Sequence, residues 1–225
     1  MTTARERYIK LESNRYAFLN TAVECSELTI PYLIRHDNES KVNHKQLVQP
    51  WQSVGSSAVV TLAAKLMLAL LPPQTSFFKL QVKEDKLGEE ITPEIKTELD
   101  LSFSKMERTI MEAIAASNDR VIVHQALKHL IVGGNALIYM GKDGLKHYPL
   151  NRYVVTRDGN GNVIEIVTRE SVDKSLLNMQ QLERTPNDVS DTSAGDTDEV
   201  DIYTHVRYDN GRWRWHQECL DKVMD

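Results

Sequence analysis

Cysteine is nearly absent: Cys25 and Cys219 are the only two in 225 residues. Far apart and without a second pair, they support neither a disulfide framework nor a zinc module. Free thiols in a reducing compartment are expected. An excess of positive charge is also missing. Lys and Arg number 27 against 32 Asp and Glu, a formal net charge of -5, so the chain as a whole has no long-range attraction for phosphate polyanions. A sequence-reading DNA binder is thereby disfavoured, while weak passing contact with nucleic acid is not excluded. Long hydrophobic runs are lacking too. The longest, Ala58 to Leu71, falls short of the roughly 20 residues a spanning helix needs and contains Lys65; it reads as a core helix. Met1 to Lys10 carry Arg5, Glu6, Arg7 and Lys10 with no apolar stretch behind them, so no secretory signal is expected and the protein should be made and kept in a cytoplasm. No internal repeat or low-complexity array occurs.

What is present is enough apolar sequence, 41% of residues, to bury one large or two small cores. Tyr8, Leu11, Phe18, Leu19, Ala22 and Val23 recur at mostly helical spacing, which predicts one long amphipathic helix from Ala4 to Thr29 before Pro31. Arg35 to Gln49 has no period and reads as an exposed loop. Trp51, Val54, Ala58, Leu62, Leu66 and Leu70 step by three or four, predicting a helix that starts at Pro50, faces the core with that stripe, and stops at Pro72 and Pro73. Phe77 to Val82 alternates like a short strand. Thr92-Pro93-Glu94 opens a helix whose stripe is Ile95, Leu99, Phe103, Met106, Ile110 and Ile114. Another helix, with Val121, Leu127, Leu130 and Ile131 inward, runs to a cap at Gly133 and Gly134.

Beyond residue 134 the period changes. Ala136 to Met140, Leu145 to Leu150, Tyr153 to Arg157 and Val163 to Thr168 read as strands separated by the turns Lys142-Asp143-Gly144 and Asp158-Gly159-Asn160-Gly161. Ser171 to Leu182 is predicted as a short helix, and the acidic, Ser/Thr-rich stretch 185–199 as a mobile loop. Val200 to Tyr208 and Trp213 to Glu218 form a hairpin about Asn210-Gly211. The fold class is α+β, with long amphipathic helices followed by a mixed or antiparallel β region. The division falls into a mainly helical portion, 1–134, and a β-rich portion, 135–225.

Constellations that would carry chemistry fail on inspection. Gly141-Lys142 is no phosphate loop, because Ala136 and Asp143 stand where Gly and Ser or Thr are required. Asp158, Asn160 and Asn162 alternate like a calcium loop, but Val163 and Arg169 occupy the positions of its glycine and closing glutamate. A tight turn accounts for those residues. His124 and His129, five apart on a helix, diverge, and His36, His44, His147, His205 and His216 are equally isolated in the sequence; solvated or singly hydrogen-bonded histidines are expected. Cys25 has no visible activating partner, and no nucleophile elbow occurs. Arg207, Arg212, Trp213, Arg214, Trp215 and His216 mix cations with aromatics as single-strand binders do. Strand alternation instead puts Arg212 and Arg214 on a wet face and Trp213 and Trp215 on a buried one. No catalytic, cofactor-binding or metal-binding residue is assigned, and no cofactor is expected.

The order of certain motifs carries a resemblance. Pro50-Trp51-Gln52-Ser53-Val54-Gly55 and the run from Leu62 through Pro72-Pro73-Gln74-Thr75 closely resemble the first motif of portal, or head-to-tail connector, proteins of short-tailed, Teseptimavirus-like podoviruses. Met106 to Met111, Ser117-Asn118, Ala126-Leu127-Lys128, Gly134 to Tyr139, Tyr153 to Asp158, Gly161 to Val163, Val167 to Arg169 and Asp201 to His205 follow in the same order. The similarity extends from about Tyr16 to Trp215.

The resemblance implies the N-terminal, wing-like portion of a homo-oligomeric ring subunit, usually a dodecamer, at the head-tail vertex of the virion. Genomic DNA is packaged and ejected through such a ring. Its implied partners are other copies of itself, the major capsid protein, scaffold or internal core proteins, the terminase, a tail adaptor and the double-stranded DNA in the channel, with no membrane. Assembly in the host cytoplasm and no catalysis by the portal itself are implied. Family members are much longer, so a truncated chain with stem and clip regions largely absent is expected. The alternatives from other classes are a packaging-associated hydrolase, whose phosphate loop or metal-carboxylate cluster is missing, and a nucleic-acid-binding adaptor built on Arg212 to His216.

Overall fold

A computed structural model describes residues 3–35, 48–73, 75–81, 93–142, 144–173, 199–219 and 222–224. Helices α1 (Ala4–Asn14), α2 (Tyr16–Leu28), α3 (Val54–Leu70), α4 (Pro93–Ala116) and α5 (Asp119–Gly133) precede strands β1 (Leu137–Gly141), β2 (Gly144–Tyr148), β3 (Tyr153–Arg157), β4 (Val163–Asp173), β5 (Glu199–Asp209), β6 (Arg212–Cys219) and β7 (Lys222–Met224). β1 and β2 form a two-stranded hairpin, and β3 to β7 form a meander in sequence order, antiparallel throughout. The α+β class is as expected from the sequence, and its β part is wholly antiparallel.

The long N-terminal helix expected over Ala4 to Thr29 is two helices, broken at Arg15. Its start is strongly specified: Thr3 Oγ1 accepts from Glu6 N–H while the Glu6 carboxylate accepts from Thr3 N–H, both at 3.2 Å, a capping box. The break has a packing cause. Tyr8 and Ala4 of α1 are buried with Val154, Val167 and Tyr203 on one face of the large sheet. Leu19 and Ala22 of α2 are buried with Tyr153, Tyr148, Leu150 and Ile34 on the other. Tyr153 and Val154 are neighbours on β3, so their side chains point to opposite faces. Residues 4–28 therefore cross the β3 edge of the sheet, and a straight helix cannot cover both faces at once.

Three further expectations are corrected. α3 begins at Val54, not Pro50, and Trp51 ahead of it is fully exposed. Its inward residues are Val59 and Ala63, whereas Val54, Leu62 and Leu70 of the expected stripe are exposed. The reason is close approach: α3 packs on α5, and Ala63 of α3 and Ala126 of α5 are both buried small residues. Near its start, a Cβ on Gly55 would lie 3.0 Å from the Leu28 carbonyl oxygen. Larger residues are thus turned outward. On α5, Leu127 is buried as expected, with Ala126 and His129, but Val121 and Leu130 are exposed.

Residues 75–81 form no strand, because Leu80 N–H donates to the Glu107 carboxylate on α4 at 2.6 Å instead of to a neighbouring strand. Residues 171–173, expected to open a helix, extend β4, and the register runs through Asp173 opposite Glu199; periodicity alone did not reveal that pairing across 25 intervening residues. The remainder of that expected helix, the acidic loop except Glu199, Val82, and 36–47 of the first loop lie outside the described residues.

The turns follow their sequences closely. Asn210 and Gly211 both have positive φ, 49° and 81°, the two-residue hairpin turn that twists with its strands. Gly134 at φ 70° ends α5, its N–H donating to the Leu130 carbonyl at 3.0 Å in a left-handed cap.

Candidate interaction surface

A ligand-binding chemistry is not assembled where the sequence offered one. Gly141 and Lys142 sit at the β1–β2 turn, with Gly141 paired to Gly144. Asp158 is consumed by its own turn: its carboxylate accepts from Asn160 and Asn162 N–H and from Asn162 Nδ2 at 2.7–3.0 Å. The side-chain bond from Asn162, then the backbone donors, hold that carboxyl below its ordinary pKa. No group of three or more metal-ligating side chains occurs among the described residues. No described helix is long and apolar enough to cross a membrane.

Four of the described histidines, which the sequence leaves isolated, come together in pairs, while His36 and His44 lie outside the described residues. His129 on α5 is 7% exposed and its ring lies 4.3 Å from that of His147 on β2. Burial, then the neighbouring His147, depress His129 to a pKa of about 4. His205 and His216 face each other across β5 and β6 with ring centroids 5.1 Å apart. Each has a carboxylate: His205 Nε2 lies 2.8 Å from Glu165, and His216 Nε2 3.0 Å from Glu218.

Those carboxylates fasten α1 to the sheet. Arg7 Nε and Nη2 grip Glu165 at 2.9, 3.1 and 2.6 Å, and Thr156 adds a bond at 3.3 Å. Glu218 accepts the Ala4 N–H at 2.5 Å, and Tyr8 O–H donates to the Asn151 carbonyl at 2.7 Å. Burial works to raise the Glu165 carboxyl, but the hydrogen bonds from Arg7 and His205 outweigh it and leave the pKa lowered. With its folded pKa below the unfolded one, Glu165 contributes stability above the ordinary carboxylate range and loses it as pH falls through that range. Sequence reading missed this clamp. The available signal was a glutamate between Val163 and Val167 on the inward positions of a strand. Arg7→Ala is expected to cost about 2 kcal/mol, since a buried carboxylate loses its main partner; urea unfolding at neutral pH measures it.

The surface carries the more distinctive features. The alternation expected for β6 holds, since Arg207, Arg212 and Arg214 share one face with Asp209, and Tyr208, Trp213 and Trp215 share the other. The aromatic face is not buried, however. Trp215 is 70% exposed, and the Tyr208 and Trp213 rings lie 5.2 Å apart, tilted by 59°, at the turn end of the hairpin. Arg207 and Arg214 are directly opposite, with Asp209 only loosely between them at 3.7 and 4.0 Å.

On the helical side, α3 has 17 residues with Lys65 its one charged side chain, yet Val60, Leu62, Leu68 and Leu70 face outward. Apart from Ser56, Ser57, Thr61 and Lys65 the helix is apolar, and a helix of that composition is ordinarily enclosed over most of its surface. On α4 the regular stripe is also incompletely covered, with Ile95, Met106 and Ile110 exposed. Apolar residues exposed in this number along two helices are candidates for a surface that meets another protein.

Comparison with known proteins bears on what that surface meets. The profile of a family described as "Bacteriophage head to tail connecting protein" matches residues 1–219. The chain is 37% identical to the portal protein of Enterobacteria phage T3 across 99% of its own length and 42% of that relative's. It is 33% identical to the portal protein of Escherichia phage T7, covering 92% of this chain and 39% of the relative. For the portal protein of Enterobacteria phage SP6 the figures are 32%, 94% and 41%. The chain thus spans about two fifths of the length of these relatives.

Proposed function

Since the chain belongs to the bacteriophage head-to-tail connecting protein family, we propose that it is a structural subunit of a portal ring at the head-tail vertex of the virion, part of the conduit for genome packaging and ejection. The observation that carries the structural role is α3, a largely apolar helix with apolar side chains exposed along it. In a ring each subunit offers two different patches, one to each neighbour, and rotation closes the set. The exposed faces of α3 and α4 and the aromatic face of the β5–β6 hairpin are candidates for such patches. A dodecamer is the proposed closed state. The wing-like assignment, with 1–134 and 135–225 as its helical and β-rich portions, belongs to the same proposal.

The proposed partners are further copies of the chain, the major capsid protein, scaffold or internal core proteins, the terminase and a tail adaptor, with double-stranded DNA in the channel and assembly in the host cytoplasm. Catalysis is assigned to none of its residues. The adaptor reading is weaker because Arg212 and Arg214 lie on one side of the strand and Trp213 and Trp215 on the other. A single strand therefore cannot stack on the tryptophans and neutralise its phosphates on those arginines together.

Produced at the length of its relatives and concentrated, the protein should form particles with a central hole in electron micrographs and sediment as one large species. A strict monomer at all concentrations would sink the proposal. Placing glutamates at Val60 and Leu68 should leave the unfolding midpoint nearly unchanged, within about 0.5 kcal/mol. If α3 is a subunit contact, the same pair should shift sedimentation towards smaller species.

A further inference from the structure

Arg7 and Arg15 both pack against the large sheet, and only Arg7 has the Nε–Nη2 edge of its guanidinium filled. Arg7 engages Glu165 through Nε and Nη2 at 2.9, 3.1 and 2.6 Å. On Arg15 the same two atoms are buried and have no hydrogen-bond partner. Its guanidinium carbon stands 5.8 Å from the centre of the Tyr153 ring. Tyr153 is 4% exposed, and its hydroxyl is likewise buried without a partner. The Tyr8 hydroxyl, which donates its proton to the Asn151 carbonyl, also hydrogen-bonds with the Arg15 side chain, yet Nε and Nη2 are both left without a partner in hydrogen-bonding geometry. Glu12 lies within electrostatic reach and accepts from neither buried nitrogen.

Buried donors are almost always satisfied, and an orphaned group asks for an explanation such as an absent ion. Here Nε and Nη2 form one edge of a planar guanidinium, the geometry that matches two oxygens of a carboxylate or phosphate. Arg15 as a whole is partly buried and occupies the break between α1 and α2, while its Nε and Nη2 are closed off from solvent. Burial is the main influence lowering the Arg15 pKa, with Tyr8, Glu12 and Tyr153 opposing it.

We propose that Arg15 and Tyr153 form a seat for an oxyanion, held bidentately by Arg15 Nε and Nη2 and by a third bond from the Tyr153 hydroxyl. The ligand class is a phosphate or a carboxylate, free in solution or carried on a side chain of a second copy.

The test uses the full chain at constant ionic strength, with inorganic phosphate and acetate as probes and the Arg15 Nε–H resonance and melting temperature as readouts. Either probe should move the resonance saturably and raise the melting temperature of the native protein. Arg15→Lys keeps the charge but loses the fork, so binding should weaken by about tenfold or more. Tyr153→Phe should weaken it less while leaving Arg15 intact, which covers the case in which Arg15→Lys folds poorly. A resonance that shifts on diluting the protein, with no probe added, identifies a carboxylate of a second copy as the occupant. A resonance unmoved by probes and by dilution, or equal affinity in the native protein and Arg15→Lys, overturns the proposal.

Discussion

Tyr8→Ala is expected to destabilise the protein by about 4 kcal/mol, the typical cost of truncating a buried aromatic. The Tyr8 side chain is fully buried, and it is the piece of α1 that reaches the centre of the large sheet. Its ring meets the Tyr203 ring edge-on at 5.6 Å, lies under the Arg169 guanidinium at 5.3 Å, and packs with Val154 and Val167. Its hydroxyl also satisfies the Asn151 carbonyl just before β3. Burial is the main reason the hydroxyl is pushed up to about 12, with Glu12 contributing in the same direction. Removing the ring leaves a cavity under a helix that is short, 11 residues, and unable to stand alone. Against a net stability of roughly 5–15 kcal/mol for a domain, α1 should detach in a measurable fraction of molecules. Tyr8→Phe separates the two contributions: it should cost about 1 kcal/mol, the worth of the hydroxyl bond alone. Urea midpoints give both values. An alanine variant within 1 kcal/mol of the native protein would mean that α1 is not fastened through this ring.

Local chemistry was legible in the sequence wherever neighbours along the chain decide the outcome. The Asn210-Gly211 turn, the cap at Gly134, the Asp158 turn and the end of α3 at Pro72 all came from residues adjacent to the feature. Partner choice was less legible. The α3 stripe was read on the assumption that its most apolar arc faces inward, but this helix is apolar on nearly every side, so the arc that packs is chosen by the small residues that let α5 approach. The break at Arg15 was invisible for a similar reason: apolar spacing continues across it, and only the position of the β3 edge requires the chain to change faces. The last third of β4 is paired with a strand far along the chain, and nothing local distinguishes it from a helix start. The Trp213 and Trp215 face was expected to be buried because strands usually bury an apolar side. Those residues lie near the turn end of the β5–β6 hairpin and stay exposed. Membership of the head-to-tail connecting family was legible from ordered motifs, although the uncovered surfaces that give the proposed role its physical content were not.

The stacked pair at α5 and β2 makes a second large effect, visible as pH dependence. His129 has a folded pKa of about 4 against about 6.5 for an unperturbed histidine in the unfolded chain. Between those values the unfolded chain binds a proton that the folded one refuses, so stability falls as pH falls from about 6.5 to about 4 and flattens below. The full window corresponds to about 3 kcal/mol. His147 is also lowered by its burial, which works in the same sense. The cause is geometric: each ring has one buried nitrogen without a hydrogen-bond partner, and a charge on either would stand against the other ring 4.3 Å away. Glu165 cannot mimic this, because its contribution is lost at lower pH, through the carboxylate range. His129→Leu should therefore stay folded at pH 7.5 and lose stability less steeply than the native protein down to pH 4.5, gaining about 2–3 kcal/mol relative to it over that span. Parallel stability curves for the two proteins would show that His129 accepts its proton in place, and that the contact between α5 and the β1–β2 hairpin tolerates the charge.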